Sequence, residues 1–491
     1  MTQENKEEYK NEKGEAMPKT IIRATSYKLP DGRLAEMVYD KTKRKTYFVV
    51  GIGNTTEIIE EVEVTKSELL RPLTPHDDMI KLGFIKFPSA VGQYKDNKEL
   101  FEEIISYIKK YVALPDYFVT IAATYVMMSW VYEKFHTLPY LRVVGMHGTG
   151  KTRFLETVGN ICYQAMLAGG SASIASVFRT IHSIRGTLVF DEADFRNSEA
   201  WNEIVKILNS GHTNDFPVMR VNISKEGEMD TKTFYVFGPK ILASRERFGD
   251  EALESRCLSQ NLLPQNDIQA PIHLPEEFEK ETQELRNKLL AFKFNNYNNP
   301  ILKENSLEGI KLPRLKQSLL AVYNISKIVS KDTEEKILQF AKEYEKELQL
   351  YQIRAVECDV LICILELLFD VKEMEKSKGK IRIQAIADKY NYKFNDQFDD
   401  REQKIFNADG WGAVTPANYV TSPRKIGHLV TRKLMIRTER DYDGFYIPLS
   451  EREKIMFLMS RYGITDSMLG IKKKGKLNTD INIKAEDSLQ F

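Results

Sequence analysis

The clearest chemistry in this sequence lies in one contiguous run, Gly145-Met146-His147-Gly148-Thr149-Gly150-Lys151-Thr152. It satisfies G-x-x-x-x-G-K-[ST] at every fixed position, a pattern that marks a phosphate-binding loop when a strand precedes it and a helix follows. Both flanks comply. Leu141, Val143 and Val144 form a short apolar run that reads as a buried strand, and Arg153-Phe154-Leu155-Glu156-Thr157-Val158 reads as the opening of a helix. Gly145, Gly148 and Gly150 let the backbone curl around Thr149 until several N–H groups face one phosphate chain, which a Cβ would obstruct. The helix N-terminus adds its dipole to that anion site. Lys151 is expected to reach the β/γ phosphates and the Thr152 hydroxyl to ligate Mg²⁺, so ATP and Mg²⁺ are the expected ligands.

A second acidic and a third basic set follow. About 40 residues after the loop, Leu188-Val189-Phe190 leads into Asp191-Glu192. An aspartate there holds Mg²⁺, and the glutamate polarises the attacking water. Lys240-Ile241-Leu242-Ala243-Ser244-Arg245 is a further apolar strand ending in polar residues. Ser244 and Arg245 are both candidates to contact the γ-phosphate or the lytic water, and spacing does not choose between them. Arg256, in Leu253-Glu254-Ser255-Arg256, could serve as an arginine finger for a neighbouring subunit, although a lone arginine is more often a surface ion pair. Arg314 follows Pro313 at the start of a later helix.

The elements around these residues must be built from 491 residues, more than one comfortable core. Hydrophobic content of 42% and charged content of 29% describe a globular chain, and a net charge of +1 leaves nucleic-acid binding to local patches. Four cysteines without a C-x-x-C pair fit reduced thiols and indicate no metal site. The charged stretch from Met1 to Lys19 is unlike a signal peptide. The most apolar run, Tyr117 to Tyr132, is shorter than the roughly 20 residues of a membrane span, so a buried helix and a cytoplasmic location are expected.

Five regions are expected. Residues 1–95 form an accessory β-rich domain, with antiparallel pieces around a Pro30-Asp31-Gly32 turn. Residues 96–263 form the ATPase core, in which Val218 to Ile223 and Thr231 to Phe237 flank a charged tip containing Lys225. Residues 264–345 supply a helical lid, 346–450 a DNA-binding domain, and 451–491 a C-terminal helix and basic tail with Lys472, Lys473, Lys474 and Lys476.

Within 346–450, amphipathic helices precede Ser422-Pro423, an N-cap followed by a proline in the first turn. The helix expected over Arg424 to Leu434 is apolar at Ile426, Leu429, Val430 and Leu434. Arg424, Lys425, His428, Arg432 and Lys433 occupy its other face. The run from Met435 to Leu449 alternates and carries the Asp443-Gly444 hairpin signal. Two helices, a basic helix and a β-ribbon in that order read as a winged helix. Arg424, Lys425, His428 and Arg432 would face a major groove, with the ribbon on the DNA backbone.

With these motifs in place, Phe101 to Ile328 resembles the AAA+ ATPases of mobile genetic elements close to the minichromosome maintenance helicases. The replication initiator-helicases of pathogenicity islands and cassette elements are similar in also ending in a winged helix. The likeness rests on Gly145 to Thr152, Phe190-Asp191-Glu192, Gly238-Pro239-Lys240-Ile241-Leu242-Ala243 and Leu253-Glu254-Ser255-Arg256. It implies an α/β AAA+ P-loop core with a small N-terminal β-rich domain and a C-terminal winged helix. It implies Arg256 as a trans-acting finger, Arg314 as a second sensor, and Lys225 on a DNA-contacting hairpin. It further implies a hexameric ring on single-stranded DNA that also binds origin duplex and meets host replication proteins. Two departures stand out: Ser244-Arg245 replaces the usual Asn or Thr, and Asn395 to Tyr419 lengthens the winged helix. The leading expectation is an ATP-dependent DNA helicase and replication initiator. A DNA-binding ATPase regulator that does not unwind is the alternative, and a winged-helix repressor with a structural P-loop is a third reading, opposed by the intact Lys151, Asp191 and Glu192.

Overall fold

The computed structural model describes residues 8–10, 16–169, 173–191, 199–223, 229–248, 250–263, 270–271, 273–353, 356–394, 421–465 and 468–469; a few side chains at the borders of these stretches are left undescribed. The chain divides into two compact units, Met1–Glu345 and Lys346–Phe491.

The first unit is organised on a six-stranded sheet. Its strands are β1 (Ile85–Lys86), β2 (Tyr140–Val144), β3 (Ala165–Ala168), β4 (Leu188–Phe190), β5 (Lys240–Ser244) and β6 (Cys257–Asn261). Their order across the sheet is β1-β3-β4-β5-β2-β6, and every pairing is parallel except the edge pair β1–β3. Strands covered on both faces are mostly apolar, and β2, YLRVV, is buried at every position, with Arg142 the one charged residue in it. The strand leading to Asp191 is thus not a neighbour of the P-loop strand, because β5 lies between them.

Helices cover this sheet. The helix α1 (Asn97–Tyr111) is capped by Asp96, whose side chain accepts from the Glu99 N–H. In α2 (Asp116–Trp130) every residue from Phe118 to Trp130 is buried, which is why the apolar run from Tyr117 shows no polar face. Among the described residues no helix is long and apolar enough to cross a membrane. The P-loop helix α3 (Lys151–Gly159) packs so closely on β4 that a Cβ at Gly159 would lie 2.8 Å from Val189 Cγ2. The helix α4 (Ile174–Ile184) precedes β4, α5 (Glu199–Ser210) follows it, and α6 (Glu277–Asn296) and α7 (Pro313–Val329) come after β6.

The N-terminal strands belong to the same unit. Ser26–Lys28, Leu34–Asp40, Lys45–Ile52 and Thr55–Ile59 form the antiparallel meander expected from the Pro30-Asp31-Gly32 turn. A second sheet differs from the expected antiparallel arrangement, because Thr20–Arg23 pairs in parallel with Glu68–Arg71. Leu29, Met37, Phe48, Val50 and Leu70 share one apolar core with Ile184, Phe190 and Leu242 of the ATPase sheet. A buried ion network crosses the same boundary. Lys293 Nζ on α6 lies 2.9 Å from Glu36 Oε1 and 3.2 Å from Glu133 Oε1, and Tyr163 donates its hydroxyl to Glu36 Oε2 at 2.7 Å. Removing one member of such a buried set costs ~3–5 kcal/mol, because the other charges stay desolvated.

The second unit has a core of its own. It contains α8 (Val356–Phe369), α9 (Ile383–Phe394), α10 (Pro423–His428) and α11 (Arg452–Arg461). A three-stranded sheet of β7 (Ile381–Arg382), β8 (Glu439–Asp441) and β9 (Gly444–Ile447) has β9 in the middle. Ile426, Val430 and Leu434 join Leu361, Leu365, Ile386, Ile447 and Ile455 in that core. The long insertion from Asn395 to Tyr419 and the lysine-rich tail lie outside the described residues.

Candidate active site

Register places the chemistry. Val144 pairs with Ser244, so β2 and β5 end together, while Phe190 pairs with Leu242 and β4 ends two residues short of them. They release Gly145, Asp191 and Arg245 on one edge of the sheet, where open parallel sheets bind ligands. The loop from Gly145 needs its glycines. A Cβ at Gly145 would meet Thr149 Oγ1 at 2.5 Å and the Leu262 carbonyl oxygen at 2.9 Å, while Gly148 and Gly150 adopt φ of 77° and 88°. Thr149 Oγ1 donates to the Met146 carbonyl at 2.9 Å, closing the loop on itself.

Lys151 and Thr152 open α3 and face the same cleft, of about 370 Å³. Lys151 Nζ donates to the carbonyls of Gly145 at 2.7 Å and Met146 at 2.8 Å. Thr152 Oγ1 donates to Asp191 Oδ2 at 2.9 Å, across 39 residues of sequence. A hydroxyl and a carboxylate in contact are hard oxygen donors of the kind Mg²⁺ selects. Arg245, His147 and Arg153 complete the lining. The arrangement therefore combines a backbone cradle, an ammonium, two guanidinium groups and an oxygen pair, a set suited to a phosphate chain carrying a divalent cation.

The strand end separates the two sensor candidates. Ser244 is buried and donates its hydroxyl to the Glu246 carbonyl at 2.8 Å, whereas Arg245 is exposed and lines the cleft. Glu192 and Lys225 lie outside the described residues. The hairpin that carries Lys225 is present as β10 (Val218–Ile223) and β11 (Met229–Phe234), paired antiparallel over their full length. Its exit is anchored on α4: Tyr235 donates its N–H to His182 Nδ1 at 2.9 Å, and Phe234 packs edge-on to Phe178 at 4.8 Å.

Arg256 and Arg314 do not line this cleft. The Arg256 carbonyl accepts from Tyr140 N–H at 2.9 Å, which fixes Arg256 at the start of β2. The five residues of β2 put it roughly 16 Å from the P-loop, at about 3.3 Å per residue. Arg256 donates from Nη1 to Asn209 Oδ1, and its buried Nε has no hydrogen-bond partner among the described residues. Arg314 Nη1 donates to Ser255 Oγ at 3.1 Å. Burial lowers the Arg256 pKa from its ordinary value, Tyr140 opposes that shift, and the neighbouring Arg314 charge adds to it. Two guanidinium groups thus share one place at the opposite end of the sheet.

A buried pair that sequence reasoning missed holds the Arg256 turn. Arg142, inside β2, donates from Nη2 to Glu254 Oε1 at 2.5 Å and from Nε to Ser259 Oγ at 3.0 Å. Glu254 Oε2 in turn accepts from the Phe248 N–H at 2.9 Å. A lone arginine amid the apolar residues of YLRVV was the available signal.

In the second unit, Arg424, His428 and Arg432 are exposed and Lys425 is half-buried. The expected single helix from Arg424 to Leu434 is instead α10 followed by a π turn, Leu429–Lys433, in which Leu434 N–H reaches the Leu429 carbonyl at 3.0 Å. Ile426, Val430 and Leu434 recur every four residues, a step that overshoots an α-helical turn by about 40°; the wider π turn brings the last step back. Arg424, His428 and Arg432 recur at the same interval.

No family model and no curated protein matches the chain. Among solved structures, the C-terminal region of NrS-1 (residues 305–718) is similar with 13% identity and a TM-score of 0.33, over 84% of this chain and 96% of that one. The JCV helicase gives 13% identity and a TM-score of 0.22, over 53% of this chain and 71% of that one. Cdc6p from Pyrobaculum aerophilum gives 10% identity and a TM-score of 0.22, over 74% of this chain and 99% of that one. Likenesses this distant add no weight to the functional reading, which rests on the site itself.

Proposed function

We propose that this chain is an ATP-dependent DNA helicase and replication initiator of the AAA+ class, encoded by a mobile genetic element and resembling the minichromosome maintenance group. One observation carries the reading: Lys151, the Thr152–Asp191 pair and Arg245 converge on a single cleft, while Arg256 and Arg314 stand together at the far end of the same sheet.

Lys151 binds the β/γ phosphates by exchanging the loop carbonyls for phosphate oxygens. Thr152 and Asp191 would hold Mg²⁺, which would supply positive charge against the phosphates. Glu192, directly after Asp191, accepts the proton of the attacking water. Arg245 approaches the γ-phosphate from the facing strand. Arg256 and Arg314 are separated from their own P-loop by more than a side chain spans, so they act on the nucleotide of a neighbour. An interface that joins the arginine edge of one subunit to the cleft of the next is heterologous and closes into a ring, here one of six.

The second unit is a winged helix that binds origin duplex. Arg424, Lys425, His428 and Arg432 read bases, and the core residues Ile426, Val430 and Leu434 hold their helix in place. Lys225, on the hairpin anchored to α4, contacts phosphate of the strand being moved. Host replication proteins are further partners, and the site of action is the cytoplasm.

A regulator that hydrolyses ATP on DNA without separating strands is the competing reading. A forked duplex incubated with the protein and Mg²⁺-ATP decides between them. The expected result is ATP-dependent release of the displaced strand, lost in Lys151→Ala. DNA-stimulated hydrolysis with no strand released would establish the regulator instead.

A further inference from the structure

The β8–β9 hairpin of the second unit ends in two residues, Tyr442 and Asp443, between the paired Asp441 and Gly444. Its base is fixed. Arg382 donates to both oxygens of Asp441, at 2.5 and 3.0 Å, and Lys380 adds a third contact at 2.8 Å. Asp441 Oδ1 also accepts from the Asp443 N–H at 3.0 Å, and Tyr446 donates to Glu439 at 2.9 Å. These contacts occupy the acidic groups at the base, and they hold the tip without covering it.

Tyr442 is 95% exposed at the apex. Phe445, cross-strand partner of Arg440, is 54% exposed, and the Arg440 guanidinium lies 5.4 Å from its ring centroid. Side chains alternate across a strand, so Arg440 and Phe445 face away from the side that carries Glu439, Asp441 and Tyr446. The result is a rigid finger with an aromatic apex and an aromatic-plus-cation flank. What sets these rings apart is their placement together at the end of one braced hairpin, with a guanidinium beside them. Ring faces beside a guanidinium match the flat faces of nucleobases and the phosphates between them.

We propose that this hairpin is a base-stacking finger in which Tyr442 stacks on a nucleobase at a duplex–single-strand junction, with Phe445 and Arg440 flanking it. The inference rests on the DNA-binding reading of this unit. Intact B-form duplex offers no free base face, because each base is covered by its neighbours. A junction does offer one, which makes forked DNA the occupant that fits.

The test uses the full-length chain, a forked duplex with 2-aminopurine at the first unpaired position, and a blunt duplex of the same paired sequence. The intact protein should bind the fork more tightly and quench the 2-aminopurine. Tyr442→Ala should weaken fork binding about 5- to 150-fold and abolish the quench, while blunt-duplex affinity stays within about 2-fold. Tyr442→Trp should restore both. Equal loss on fork and blunt duplex would mean a backbone contact only and would overturn the stacking role, as would an unchanged fork affinity. Arg424→Ala with Arg432→Ala, measured alongside, separates the two levels of the inference. If that double variant loses duplex affinity while Tyr442→Ala binds the fork normally, only the finger fails. If neither variant changes affinity for either DNA, the DNA-binding reading of the unit fails with it.

Discussion

The two ends of the central sheet are built differently, and the proposed function gives them opposite halves of one chemistry. At the C-terminal ends of β2, β4 and β5 the backbone curls into a cradle, and Lys151, Thr152, Asp191 and Arg245 surround a cleft. At the N-terminal ends of β2 and β6 the described residues form no such cradle; Arg256 and Arg314 are held there beside Asn209 and Ser255. The first end gathers cations and an oxygen pair around a cleft; the second sets two guanidinium groups side by side, with Asp250 partly offsetting the charge on Arg256. A single chain cannot bring them together across the length of β2, so the proposed use of both ends in one reaction requires a second subunit.

The sharpest way to break that comparison is to remove the cation at the far end. Arg256→Ala should lower ATP turnover by about 10³- to 10⁵-fold while leaving affinity for a nucleotide analogue unchanged, because the cradle is intact. Steady-state turnover and fluorescent-nucleotide titration on the same preparation read the two quantities. A variant that turns over normally would reduce Arg256 to a partner of Asn209. Within the cleft a smaller contrast is expected. Arg245→Ala should slow turnover by about 10²- to 10³-fold, as losing one positioned donor does, whereas Ser244→Ala should change it by less than about 10-fold. The reverse ranking would assign the γ-phosphate contact to the strand's last buried hydroxyl and contradict the placement of Arg245.

What was legible in the sequence follows the distance over which each requirement acts. The P-loop demands its glycines, lysine and threonine within eight contiguous residues, so strand, loop and helix could all be read directly. The same holds for Leu188 to Asp191 and for the hairpin, whose second strand was expected over Thr231 to Phe237 and lies at Met229–Phe234. The choice between Ser244 and Arg245 was not legible, because it depends on which side of a strand end faces the cleft. Arg142 with Glu254 and Lys293 with Glu36 were hidden for a stronger reason. Each pair is brought together only by strand pairing or by docking of the N-terminal strands, and no local pattern announces a partner so far along the chain. The parallel pairing of Thr20–Arg23 with Glu68–Arg71 is non-local in the same way. In the second unit the apolar spacing of Ile426, Val430 and Leu434 marked the buried face, but the π turn that keeps it aligned emerges only from the packed core.

Mixing two inactive variants tests the central claim most directly. Lys151→Ala spoils the cradle and Arg256→Ala spoils the far end, so each homogeneous assembly has no complete site. In a heterologous ring each interface joins one subunit's cleft to the next subunit's arginine edge, so an equal mixture should leave about one interface in four intact. ATP turnover should therefore rise from near zero to about a quarter of the unmodified level. If no mixing ratio restores turnover, with mixed assemblies confirmed by native mass spectrometry, the two ends of the sheet do not complete one another's site and the account is wrong.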